Sequence, residues 1–296
     1  MDKYLLSICI PTYNRSKILD NTLTKLFSNP DFDFGKIEVI VSDNCSTDDT
    51  ALIVAKFPFA KYFCNTENVR DANFSIALNY ATGTYIRLFN DTISFKHGRL
   101  HTLLKRIESA LDSNQNVFFY DNTYFNKNSQ RLLNGTNEYA KEVSFYATWI
   151  ANFGSWRKDF RSLKDKDKYV KLQLVQVDWS YQIAQNGKKT IIYFDELFEI
   201  EEISKKGGYN IFRVFVTNYL QIIKGHQLSF AAYELEKYRL CHHFIYPWLL
   251  KLFVSDQDNL RFETRGVFSL LLWKYWYEPY FYVIGIKFFL HKIKPK

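Results

Sequence analysis

Between residues 4 and 91 the chain alternates strand-like and helix-like hydrophobic patterns, and this order restricts the fold more than any other feature. YLLSICI (4–10) is a nearly unbroken apolar run, as in a strand buried on both faces of a parallel sheet. SKILDNTLTKLF follows, with Ile18, Leu19, Leu23, Leu26 and Phe27 at helical spacing. KIEVIVSDN (36–44) predicts a second strand. STDDTALIVAKF predicts a helix with Ser46 as its N-cap and Asp48 and Asp49 in the first turn, where carboxylates favour the helix dipole. AKYFCNT predicts a third strand, DANFSIALNYAT a helix ended by Gly83, and TYIRLFND a fourth strand. This β-α-β-α-β-α-β order specifies a doubly wound α/β sheet. Such sheets bind ligands beyond the carboxyl ends of their strands. The polar clusters Pro11 to Arg15, Asp43-Asn44 and Asn90 to Thr92 fall at those ends.

The remainder is less regular. NVFFYDNTYF predicts a strand, and EYAKEVSFYATWIANFGSW a helix running into a loop. KDKDKYVKLQLVQVDWSYQIAQNG begins as a solvated charge run and turns helical up to Asn186-Gly187. KTIIYFDELFEIEEI is strand-like, SKKGGYN is a polar loop, and from Asn210 the pattern is helical, punctuated by Pro247 and Pro279. The expected division is an α/β domain over 1–206 and a helical, aromatic and basic region over 207–296.

Composition narrows the function. Apolar residues make up 47%, which excludes a disordered chain. A formal charge of +8 suits an anionic partner. No Lys/Arg block matches a nucleic-acid module, so the expected partners are a nucleotide substrate or an acidic membrane face, and not nucleic acid. Cys9, Cys45, Cys64 and Cys241 show no CxxC spacing and are read as reduced packing residues in a reducing compartment. His242 and His243 are adjacent, so on a helix they diverge by about 100°, a poor metal pair. The start lacks the length and cleavage site of a signal peptide, and no segment has the apolar length of a membrane-spanning helix.

LSICIPTYNRSKILDNTL, VIVSDNCSTDDT, NTENVRDANFSIALNYATGTYIRLFND and, more loosely, VQVDWSYQIAQNGKKTIIY together resemble the family 2 glycosyltransferases of the GT-A fold, especially the bacterial enzymes of O-antigen and capsule assembly. The resemblance covers about residues 5 to 200. It implies a Rossmann-like mixed sheet flanked by helices, with a C-terminal helical extension here. It also implies transfer of a sugar from a nucleotide donor, UDP-linked by default, with inversion at the anomeric carbon. A nucleotidyltransferase would need a Gly-rich phosphate loop near the N-terminus, and none is present.

The residues fit that chemistry. In Pro11-Thr12-Tyr13-Asn14-Arg15, proline fixes the turn, Tyr13 can line the base, and Arg15 and backbone N–H groups can face negative charge. Asp43 matches the aspartate that hydrogen-bonds the base in similar enzymes; a plain turn residue is the alternative. Asn68, Arg70, Asp71 and Asn73 match the segment that approaches the nucleotide in relatives, although Arg70 and Asp71 can equally form a surface ion pair. An inverting transfer needs a carboxylate to deprotonate the acceptor hydroxyl. In similar enzymes it lies near the start of a late helix. Asp178 is the candidate, in an apolar and amide stretch that can raise its pKa, with Trp179 as a sugar-stacking wall. Asp159 and Asp195 are the rivals.

Asn90-Asp91-Thr92 departs from the family pattern of two or three acids at this turn. The carboxylate that binds Mg²⁺ or Mn²⁺ in many relatives aligns with Thr92, and Asp91 aligns with its neighbour at the ribose or metal. Thr and Asn are poor substitutes for a charged ligand. A metal on Asp91 is therefore expected to bind weakly or not at all, with Lys205-Lys206 or Arg157 neutralising the leaving diphosphate. A catalytically silent GT-A domain that binds a nucleotide sugar or acts as a scaffold is the alternative.

The tail, FSLLLWKYWYEPYFYVIGIKFFLHKIKPK (268–296), is apolar, aromatic and basic. After Pro279, Lys287, His291 and Lys294 share one helical face. An interfacial helix on an anionic leaflet fits, as does packing on the catalytic domain or on a second subunit. The expected setting is the cytoplasmic side of a bacterial cell membrane, held peripherally near a glycan or lipid-linked acceptor.

Overall fold

Strand β1 (Leu6–Thr12) pairs in parallel with β2 (Ile37–Asp43) on one side and with β4 (Tyr85–Leu88) on the other. β3 (Ala60–Cys64) extends the sheet beyond β2, and β8 (Gly154–Trp156) closes the far edge antiparallel to β4. The strand order is β3-β2-β1-β4-β8. The computed structural model describes residues 3–121, 130–201, 206–255 and 260–293.

Both faces of this sheet are covered, which is why its strands read as unbroken apolar runs. Successive side chains alternate between faces. Ile8, Ile10, Val39 and Val41 pack with α1 (Ser16–Phe27) and α4 (Arg99–Ser109) through Leu19, Leu23, Leu100 and Leu103. Cys9, Ile40, Ile86 and Leu88 pack with Ala77 and Leu78 of α3 (Ala72–Asn79). This second core runs on without a break through α5 (Thr136–Val143), α6 (Arg157–Arg161) and α7 (Val175–Ala184) into the C-terminal helices, as far as Phe288.

The five-stranded sheet is joined by shorter ladders. β6 (Asn116–Asp121) pairs in parallel with β9 (Thr190–Asp195), which also carries β7 (Gln130–Leu133) antiparallel. β5 (Ile93–Phe95) pairs with β10 (Phe198–Ile200), so the strand-like run after Gly187 is two strands. Part of the strand expected after Asp121 lies outside the described residues.

Two helix boundaries differ from expectation. α2 is short (Thr50–Val54), and Ser46 does not cap it. α3 ends at Asn79, and Gly83 is not its cap. Glycine is needed at 83 for close approach: a Cβ there would lie 2.6 Å from Ser7 Oγ and 2.9 Å from Ser7 N. The turn is clamped by buried Glu38, which accepts hydrogen bonds from Thr82 N (2.6 Å) and Gly83 N (2.9 Å). Of the cysteines, Cys9 and Cys241 are buried as expected, Cys45 is half-buried, and Cys64 is exposed rather than packed.

Downstream, α8 (Tyr219–Lys224) is preceded by a π-helical turn over Arg213–Asn218. A second π turn, Leu240–Ile245, joins α9 (Phe230–Arg239) to α10 (Tyr246–Phe253). Pro247 sits at the start of α10, and the wider turn accommodates its missing N–H, so the proline does not break the rod. α11 (Val267–Tyr275) and α12 (Pro279–Ile293) complete the chain. A two-residue parallel bridge, Lys206–Gly207 with Leu260–Arg261, ties the start of this region to its middle.

Candidate active site

The strand ends shape a cleft. Thr12 and Asp43 are register partners, so β1 and β2 finish side by side. The β1–α1 loop turns sharply at Asn14, which takes a left-handed φ of 50°, a conformation asparagine tolerates better than most residues. Asn14 Oδ1 accepts from Thr47 N (2.8 Å), and Asn14 N donates to Ser46 Oγ (2.8 Å). Asp48 accepts from Ser16 N (2.9 Å) at the start of α1. Asn14, Ser46 and Asp48 therefore lock the two loops together, and this leaves Pro11, Thr12, Tyr13 and Arg15 to line the cleft.

A mesh of amides holds the next wall. Asn44 Nδ2 donates to Asn68 Oδ1 (2.8 Å), while Asn44 Oδ1 accepts from Val69 N (2.9 Å). Asn68 Oδ1 also takes Arg70 N (2.9 Å), which steadies Arg70 at a left-handed φ of 54°. Asn73 Oδ1 accepts from Ser42 Oγ (2.6 Å), and Asn73 Nδ2 donates to Ser42 O (2.8 Å), fastening α3 to β2. The Asp43 carboxylate is buried behind this mesh. It accepts from Ser46 N (2.9 Å) and from Tyr62 OH (2.6 Å), and it does not line the cleft; Asn44 does.

The opposite wall comes from distant sequence. Thr148, Ile150, Gln173, Leu174 and Gln176 meet Tyr209, Val214 and Phe215 across a cavity of about 520 Å³. Tyr209, Val214 and Phe215 had no local signal in the sequence. Gln176 is fully buried; its Nε2 donates to Thr148 O (2.6 Å), which leaves Oε1 without a donor among the described residues.

Among the described residues two carboxylates line this cleft. Asp91 Oδ1 is bound by Arg15 Nη1 at 2.9 Å, and its backbone carbonyl accepts from Thr22 Oγ1 (2.6 Å). Burial pushes the Asp91 carboxyl above the usual range, against the lowering effect of Arg15. Asp71, at the start of α3, has no hydrogen-bond donor to its carboxyl among the described residues. Burial pushes it up to about 6, with Arg70 opposing. Among the described residues the positive side chains that line the cleft are Arg15 and Arg70.

Asp178 is not at this site. It is 2% exposed, accepts from His226 Nε2 (2.8 Å) and Gln182 Nε2 (2.8 Å), and is absent from the cleft lining. Two positions along a helix differ by about 200°, so with Gln176 toward the cleft Asp178 points away. Trp179 is fully buried between Phe153 and Phe160, with Nε1 donating to Lys166 O, so it is core and not a sugar wall. Arg157 Nε donates to Gly83 O (3.0 Å) and lines a separate depression with Trp156 and Arg161. The rivals are ion-paired elsewhere, Asp159 to Lys188 (2.6 Å) and Asp195 to Arg106 (2.8 Å). Lys205 lies outside the described residues, and Lys206 is described only as backbone in its short bridge.

The donor set at the β4 turn does not fit a dedicated Mg²⁺ or Mn²⁺ site. Its one carboxylate, Asp91, is bound by a guanidinium, and the buried Asn90 Oδ1 is neutral. Among the described residues no three His, Cys, Asp or Glu side chains cluster as metal ligands.

Residues 7–175, more than half of the chain, match the sequence model of glycosyl transferase family 2. The chain belongs to that family. Its sheet order and flanking helices are the GT-A arrangement expected from its motifs, and the matched span contains most of the cleft. An abequosyltransferase of Salmonella typhimurium is 32% identical over 124 residues, 40% of this chain and 35% of that protein. A Campylobacter jejuni GalNAc(5)-diNAcBac-PP-undecaprenol β-1,3-glucosyltransferase is 30% identical over 107 residues, 34% of each chain. The chain thus spans about a third of the length of those relatives. Among solved structures, Staphylococcus aureus TarS 1–349 with UDP superposes with a TM-score of 0.59 at 17% identity, covering 85% of this chain and 75% of that one. The Pyrobaculum calidifontis mannosyltransferase PcManGT, solved with GDP-Man and Mn²⁺, gives 0.56 at 13% identity, covering 97% and 86%. At these identities the likeness establishes the fold.

Proposed function

We propose that this family 2 enzyme moves a sugar from a nucleotide-sugar donor, with inversion, to a hydroxyl of a glycan or lipid-linked acceptor in bacterial surface-polysaccharide synthesis. A peripheral position on the cytoplasmic face of the cell membrane goes with this reading. The observation that carries it is the make-up of one cleft: Arg15 and Arg70 for a diphosphate, amides for a base and hydroxyls, and one carboxylate, Asp71, without a hydrogen-bond donor among the described residues. UDP as the carrier is supported by the fold neighbour solved with UDP, and a lipid-linked acceptor by the name of the Campylobacter relative.

In this reading the acceptor oxygen attacks the anomeric carbon as the bond to the diphosphate breaks. Asp71 takes the hydroxyl proton, replacing Asp178 in that role. A carboxyl near 6 is ionised at neutral pH yet basic enough to accept a proton. Arg15, half-exposed and held by Asp91, faces the negative charge that develops on the leaving nucleotide. No step is assigned to a metal.

A thermal-shift panel of nucleotide sugars, with turnover followed as nucleotide release, tests the proposal. Stabilisation by one donor class together with nucleotide release is expected. Stabilisation without release under any acceptor would instead leave a silent nucleotide-sugar-binding domain, and no stabilisation by any nucleotide sugar would reject both readings.

A further inference from the structure

The last two helices turn a hydrophobic face to the outside. α11 spends Val267, Leu271 and Tyr275 on the core, and α12 spends Ile284 and Phe288. Their outer faces carry Trp273, Trp276, Ile286, Phe289 and Leu290, of which Trp273 is 73% and Trp276 61% exposed. Phe230, at the start of α9, is 82% exposed and lines one depression with Trp273, Lys224 and Lys274. The two helices are continuous at the surface. Tyr282 OH donates to Trp276 O, and the half-exposed Phe268 ring lies 6.1 Å from the buried Phe288 ring. Isolated exposed apolar residues need no explanation, but a joined aromatic face does.

Charge selects the occupant. From residue 265 to 296 the sequence carries Arg265, Lys274, Lys287, Lys292, Lys294 and Lys296 against a single acid, Glu278. Glu278 is buried and bound to Lys237, so it does not offset them at the surface. A second copy of this chain would present the same positive charge to it. An anionic lipid surface complements both the lysines and the rings, since Trp and Tyr favour the headgroup boundary. Among the described residues no helix is long and apolar enough to cross a membrane, so the face lies on the bilayer.

We propose that the outer face of α11 and α12, with Phe230, docks on an anionic lipid bilayer. The rings enter the headgroup boundary, and Lys274 and Lys287 meet lipid phosphates. α11 packs on the Arg213–Asn218 turn that gives Val214 and Phe215 to the cleft, so a docked enzyme holds its active site close to the membrane. This identifies the surface behind the membrane position proposed above, yet it does not depend on catalysis: vesicle binding is expected whether or not the cleft turns over a sugar.

The test is sedimentation of the full chain with vesicles of phosphatidylglycerol and phosphatidylcholine, against phosphatidylcholine alone. Binding to the anionic vesicles is expected, weakened by at least about tenfold on neutral lipid or at raised salt. Trp273→Ser with Trp276→Ser and Ile286→Ser should weaken it by at least about tenfold while circular dichroism is unchanged. Lys287→Gln, a milder surface change, should weaken it about fivefold. Wild-type protein that stays in the supernatant, or a triple variant that binds like wild type, would overturn the proposal. A wild-type dimer that the triple variant dissociates, without vesicle binding, would assign the face to a second copy instead.

Discussion

The Arg15 guanidinium lies 2.9 Å from Asp91 Oδ1, and Asp91 is the one carboxylate of the β4 turn. A cation of the protein therefore stands against the group that would otherwise hold an ion. Nucleotide binding is expected to survive EDTA. Arg15→Met should weaken it by about 2 kcal/mol, the scale of a charge-assisted hydrogen bond, as read by calorimetric titration with UDP. Loss of binding in EDTA with recovery in Mn²⁺ would mean that an ion is held there after all.

Glu236 makes stability depend on pH. It is 2% exposed, and its Oε1 accepts from Ser144 Oγ (2.8 Å) and Tyr219 OH (3.1 Å). Burial pushes the carboxyl up to about 7, against about 4.3 in an unfolded chain. The folded state thus keeps a proton that the unfolded chain releases. The contribution is full below about pH 4.3 and is lost as pH rises through about 7. Between those limits wild type should lose about 3 kcal/mol more than Glu236→Gln in urea unfolding. Parallel pH curves for the two proteins would contradict this.

Gly83 is a packing requirement of the sheet. Gly83→Ala would place a methyl 2.6 Å from Ser7 Oγ and 2.9 Å from Ser7 N, beneath the Glu38 clamp. A loss of about 2 kcal/mol is expected, typical of forcing a methyl into a filled site. Urea midpoints of Gly83→Ala and of the exposed control Lys17→Ala measure it, and equal midpoints would show that the turn can move.

The first four strands and their loops were legible because a buried parallel strand is a continuous apolar run and its end is abruptly polar. Pro11 to Arg15 and Asn90-Asp91 could be placed on that ground alone. The α7 side of the cleft could not. All of α7 except Gln182 is buried, so no polar stripe shows that Gln176 faces the cleft and Asp178 faces His226. Gly83 looked like a helix cap because its contact with Ser7 crosses two elements. Tyr209 and Phe215 reach the cleft only when the helical region folds back, a non-local event without a signature in the sequence.

Asp71 in the cleft and Asp178 on α7 are the two candidates for the carboxylate that takes the proton. Asp71→Asn and Asp178→Asn should be compared by nucleotide release from the donor that the thermal-shift panel identifies, across pH. Wild-type kcat should rise with pH through about 6 as Asp71 ionises. Asp71→Asn should lose at least about a hundredfold in kcat and its acidic limb while still binding nucleotide, and folded Asp178→Asn should keep both. Full activity in Asp71→Asn, with activity and acidic limb lost in a folded Asp178→Asn, would contradict the assignment and return the base to α7.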